Sequence, residues 1–185
     1  LALQLQYFLG LKADVITSCC GRLFSADTPT LASEVSALQP GPALLAFYGA
    51  LFAAIGLAGW HWRKPDNPSG YAAGLASLAA FVASIAGILA FVSLYVYEHP
   101  HHHCPFCILK PEYDYQGYAL YLPLFVAAAA GMSAGVLRLF ARRPTLAPVI
   151  DATSRALAGV AAVGFGLFLA IATSMIWRSN LILIE

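Results

Sequence analysis

Four long blocks of apolar residues alternate with short polar segments along this chain. They cover residues 41–60, 71–97, 118–140 and 156–177. A helix needs roughly 20 apolar residues to cross the hydrocarbon core of a bilayer, and the blocks have that length. The segments between them are rich in turn residues. Asp66-Asn67-Pro68-Ser69-Gly70 and Arg142-Arg143-Pro144-Thr145 both read as loops. Gln39-Pro40-Gly41-Pro42 is a helix-start signal ahead of the first block. The pattern predicts an all-α, polytopic transmembrane helical bundle of four spans. It forms one integral membrane domain over residues 1–185, with outer loops at 12–40 and 98–117. Leu1 to Leu11 is apolar but too short to span, and reads as the truncated end of a further N-terminal helix or as an interfacial segment. No basic region opens it, so it does not read as a signal peptide.

Composition sharpens this class. Of the 185 residues, 60% are hydrophobic and only 10% are charged, against about 25% charged in an average soluble domain. With a net charge of +1 and no basic patch interleaved with aromatics, nucleic-acid binding is set aside. The middle of each block lacks charge and histidine. That argues against an ion-coupled pathway through the bundle and against a bis-histidine haem inside the bilayer.

Loop charges orient the chain, because basic residues near a span resist translocation. Arg63 and Lys64 lie in one loop; Arg138, Arg142, Arg143 and Arg155 lie in or beside another. If every block spans, these loops share one side, which is then cytoplasmic. The opposite side carries Asp14, Asp27, Glu34, Glu98, Glu112 and Asp114 against Lys12, Arg22 and Lys110. The reading is a bacterial inner-membrane protein with both of its cysteine pairs, and four of its five histidines, on the periplasmic side. His61 is the exception. Trp60, Trp62, Tyr95, Tyr97, Tyr118, Tyr121 and Trp177 stand at block ends as interfacial anchors. Gly131 and Gly135, and the stripe Ala158, Ala162, Gly166, are expected to let helix backbones approach within the bundle.

The candidate chemistry is concentrated in His101-His102-His103-Cys104-Pro105-Phe106-Cys107 and in the adjacent pair Cys19-Cys20. A C-x-x-C closes and opens a small disulfide ring without large chain movement. Its reactivity depends on a thiolate, which nearby cations, imidazolium or a helix N-terminus favour. His103, Lys110 and a helix beginning downstream are placed to do this. Ile108 follows the second cysteine where covalent haem attachment needs a histidine. Cys19 and Cys20 are too close in sequence to bridge one another without strain. Each is expected to have a partner elsewhere, or both to hold one soft ion.

The order of these features resembles the vitamin K epoxide reductase family. There a first outer loop carries a shuttle cysteine pair, and a C-x-x-C at the outer start of a later helix faces a quinone. Here the first outer loop carries Cys19 and Cys20, two blocks follow, and then come Cys104 and Cys107. The functionally similar disulfide-bond protein B uses two outer pairs and a quinone in the opposite order. The resemblance covers about residues 10 to 140, in topology and cysteine placement. The vicinal first pair, the triple histidine and the last span are outside that family's pattern. The resemblance implies a membrane thiol–disulfide oxidoreductase. Cys104 or Cys107 would reduce a quinone, Cys19 or Cys20 would re-reduce that pair, and a soluble thioredoxin-like dithiol partner would supply the electrons through mixed disulfides.

Two other classes stay open. His101, His102, His103, Cys104, Cys107, Cys19 and Cys20 are together a donor set for copper, zinc or another soft ion, which would imply a metallochaperone partner. Thr17-Ser18-Cys19-Cys20 also resembles the vicinal-cysteine stretch of mercury transport membrane proteins. Alternatively the chain is a non-catalytic subunit of a larger membrane complex, with the cysteines as structural disulfides.

Overall fold

The computed structural model describes residues 40–98, 104–141 and 146–179. Among them every regular element is helical. Helix α1 covers Pro40–Arg63 and α2 covers Asn67–Gly87. A wide π turn, Ile88–Val92, carries α2 into the short α3, Ser93–Tyr97. Single 3-10 turns follow at Cys107–Leu109 and Pro111–Tyr113, then α4 (Gln116–Leu137), a further 3-10 turn Arg138–Phe140, and α5 (Ala147–Arg178). Four stretches are long and apolar enough to cross a membrane: Gly41–Arg63, Asn67–Tyr97, Gln116–Phe140 and Ala147–Arg178. The protein is an all-α membrane bundle. The proposed N-terminal helix and loop 12–40 lie outside the described residues.

The helices run further into the polar segments than the apolar blocks do. Helix α5 starts at Ala147, so Asp151 and Arg155 are helical residues rather than loop residues. Helix α2 starts beside Asp66, whose carboxylate accepts the Ser69 N–H at 2.8 Å, with Pro68 in the first turn. This cap satisfies one of the donors that a helix N-terminus leaves unpaired, so the helix can begin inside a polar loop.

The helices pack as a ring. Helix α1 lies on α2 and α5, and α4 lies on the same two, while the diagonals barely touch. Small residues set the α2–α4 seam, as the G-x-x-x-G spacing predicts. A Cβ built at Gly74 would lie 3.0 Å from Gly135 Cα, and one at Gly131 would lie 2.0 Å from Ser77 Oγ. Lipid supplies no hydrophobic drive between helices, so this close approach is what holds the seam. The second stripe is only partly used. Ala158 is fully buried, whereas Gly166 faces open space. In the middle of the ring Phe47 meets Phe91 edge-on at 5.2 Å and Phe168 at 5.8 Å, a geometry aromatic pairs prefer.

The two ends of the bundle differ. At one end His61, Ser69, Arg138 and Ser154, one from each span, form a buried polar cluster. The sequence reading treats Arg138 as a loop cation. It is instead 2% exposed, paired with Asp151, and bonded to Ser154 Oγ at 2.6 Å. Its flexible stem lets the guanidinium fold back from the last turn into the bundle. The Ser69 hydroxyl points at the Lys64 and Asp66 carbonyls, so its oxygen accepts from His61 Nδ1 at 2.7 Å. His61 Nε2 is then the acceptor that faces Arg138 Nη2 at 3.3 Å. The opposite end carries the C-x-x-C.

Candidate functional site

Cys104-Pro105-Phe106-Cys107 forms a turn that runs into the 3-10 turn Cys107–Leu109. Leu109 N–H donates to Phe106 O at 3.1 Å, and Lys110 N–H to Cys107 O at 3.0 Å. Ile108 inserts into the bundle core. The segment needs a flat seat on α4, and Gly117 is that seat: a Cβ there would lie 2.7 Å from Leu109 Cδ2 and 3.0 Å from Ile108 O. The polar stretch between Cys107 and α4 is spent on turns. Asp114 and Tyr115 both sit in the left-handed region, at φ 51 and 55, which an aspartate tolerates better than most side chains but which is costly for a bulky one.

Two phenols hold the turn from the spans. Tyr97, at the end of α3, donates to Cys104 O at 2.6 Å. Tyr121, in α4, donates to Pro105 O at 2.7 Å. Both were expected only as interfacial anchors. Their position at block ends was visible in the sequence, but what their hydroxyls reach was not, because those carbonyls are 7 and 16 residues away.

The two thiols are free and differ in exposure. Cys104 is 3% exposed and Cys107 is half-buried. The Cys104 sulfur lies within hydrogen-bond reach of the Cys107 thiol and of the Phe106 and Cys107 N–H groups. Burial pushes the Cys104 thiol above its ordinary pKa, and the two N–H groups offset this only in part. Lys110 is not among the groups acting on this thiol, and His103 lies outside the described residues.

The turn is one wall of a cavity of about 640 Å³. Pro105 and Phe106 line it together with Ile85, Ile88 and Leu89 of the second span and Tyr118, Tyr121, Leu122 and Phe125 of α4. The cysteines stand behind that wall rather than in it. Ile88 and Leu89 belong to the π turn, a distortion that recurs at functional sites. Phe106 is 59% exposed and stands at the rim. The lining is almost wholly apolar, and phenol hydroxyls are its side-chain polar groups. A cavity of this size suits a drug-sized organic molecule, and this lining favours an uncharged, apolar one.

Cys19, Cys20, His101, His102 and His103 lie outside the described residues, so of the expected site only Cys104 and Cys107 are placed. Among the described residues no group of three or more His, Cys, Asp or Glu side chains is arranged to hold a metal ion. No family model, curated protein or solved structure matches the chain. Function is therefore argued from the site alone.

Proposed function

We propose that the protein is a membrane thiol–disulfide oxidoreductase that passes electrons from the Cys104–Cys107 dithiol to a quinone in the adjoining cavity. The observation that carries this reading is the position of the C-x-x-C turn as a wall of an apolar cavity between the second span and α4. A quinone is uncharged, flat and apolar apart from two carbonyl oxygens, which matches a lining whose polar side-chain groups are phenols. In the reaction two S–H bonds break and one S–S bond forms. The two electrons and two protons released convert the two quinone carbonyls to the hydroxyls of a quinol. The Cys104–Cys107 disulfide is then reopened by a thiolate of Cys19 or Cys20. A soluble thioredoxin-like dithiol reduces that second pair in turn, each exchange passing through a mixed disulfide. Cys107, the more exposed thiol, is the sulfur an incoming thiolate reaches first. The loop charges favour the periplasmic side of a bacterial inner membrane for this chemistry, and the order of spans and cysteine pairs resembles that of the vitamin K epoxide reductase family.

The test is oxidation of dithiothreitol by the purified protein in detergent, followed with and without added short-chain quinone. Thiol titration and metal analysis are run on the same chelator-free sample. The expected result is quinone-dependent oxidation that falls to background in both Cys104→Ser and Cys107→Ser. Stoichiometric metal with all thiols reduced and no quinone-dependent turnover would replace the relay with a metal site.

A further inference from the structure

The phenol pair offers more than interfacial anchoring. The carbonyls of Cys104 and Pro105 head the motif, and no backbone N–H of the described turn reaches them. Tyr97 supplies a hydrogen bond to the first from α3, and Tyr121 one to the second from α4. The two donors come from the two spans that flank the cavity, and Tyr121 lines the cavity itself. Tyr97 is in turn steadied by the Tyr113 ring, edge-on at 4.6 Å. Proline at 105 fixes one backbone angle of the same turn. The backbone that carries the thiols is thus pinned at consecutive carbonyls.

We propose that Tyr97 and Tyr121 are positioning residues for the dithiol: they pin the turn so that Cys104 stays inside and Cys107 is presented outward. The two cysteines then cannot exchange roles, and one of them alone meets an incoming thiolate. This rests on the reading that the two thiols are the reactive groups, but its test needs no quinone.

The experiment measures how fast each thiol is alkylated by iodoacetamide, resolved by mass spectrometry of the intact protein in detergent. Wild type is expected to react faster at Cys107 than at Cys104. Tyr97→Phe and Tyr121→Phe keep the rings and remove one hydroxyl, and so one hydrogen bond, each. Each is expected to shrink the Cys107:Cys104 ratio by roughly fivefold, the equilibrium factor of one ordinary net hydrogen bond, and the double variant by more. Tyr71→Phe is the control, because the Tyr71 hydroxyl also donates to a backbone carbonyl, that of Arg138 at 3.1 Å, at the other end of the bundle. A ratio unchanged in the double variant overturns the clamp, even where quinone-dependent turnover persists. So does an equal fall in Tyr71→Phe, which would mark a general loosening. A ratio that collapses only in the Tyr97 and Tyr121 variants supports the clamp, whether or not a quinone is ever reduced.

Discussion

The two ends of this bundle solve opposite problems with similar means. At the His61 end, charged and polar side chains are drawn into the helix ring and bond to one another, with Arg138 Nε left without a partner among the described residues. At the cysteine end, the chain leaves the ring, folds two tight turns, and leaves an apolar hollow beneath them. The first arrangement closes the bundle. The second leaves it open beside the Cys104–Cys107 pair. A buried ion pair is weak evidence of stabilisation relative to an apolar core, yet breaking one partner is costly. An apolar hollow forgoes dispersion contacts, a cost that a bound ligand can recover. The polar cluster bears on assembly, and the cavity is where the proposed chemistry would take place.

The comparison breaks most sharply by sidedness. In a Cys19→Ser, Cys20→Ser background, an impermeant maleimide should label Cys107 in intact cells. A cysteine placed by Lys64→Cys, with Cys104 and Cys107 removed, should be labelled only after permeabilisation. Labelling of both from one side would dissolve the two-ended description.

Arg138→Ala is the next largest effect. It strips Asp151, His61 and Ser154 of one shared donor inside the bundle. A loss of about 3 kcal/mol is expected for a broken buried pair, read by reversible unfolding in mixed micelles. Asp151→Ala is expected to cost a similar amount, because it leaves the Arg138 guanidinium, 2% exposed, without its counter-charge. A much smaller loss would mean that the wider cluster, and not the pair, carries the effect.

Gly131→Ala probes the seam that joins the ends. Its Cβ would meet Ser77 Cβ at 2.6 Å as well as the hydroxyl, so rotation of Ser77 alone cannot clear it. About 2 kcal/mol of destabilisation is expected from overpacking. Gly166→Ala, with open space around it, should be neutral or slightly stabilising by the same measurement.

The smallest effect belongs to Asp66. The Ser69 side chain and N–H hold its carboxyl below the ordinary 3.8. With the folded-state value below the unfolded one, the cap's contribution is present above the ordinary value and is lost as pH falls through the depressed one. Asp66→Ala should therefore lower the melting temperature slightly at pH 7 and not at all at pH 2. A difference that persists in acid would mean that the cap works by packing.

Much of this could be read from the chain before any coordinates. Block length and polarity gave the number of spans, because a bilayer imposes one length scale on every helix that crosses it. The shared side of the Arg63 and Arg138 loops followed from counting crossings, and the His61–Arg138 bond bears it out. The G-x-x-x-G spacing marked a close-approach face on α4, but only the packing showed that its partner is α2. The C-x-x-C was visible as a motif. Its wall position was not, and neither were the phenols that pin it.

What the sequence by itself determined is thus the class, the span count, the relative sidedness of the loops and the presence of a C-x-x-C motif between the second and third spans. These depend on local composition and on a solvent that treats every apolar block alike. The tertiary structure alone decided that Arg138 turns inward, that Cys104 is buried while Cys107 is not, and that a cavity lies under Phe106. Each of those depends on contacts between residues far apart in the chain, such as Tyr121 with Pro105 or Arg138 with His61. The energy of such a contact exists only once the helices have chosen their neighbours.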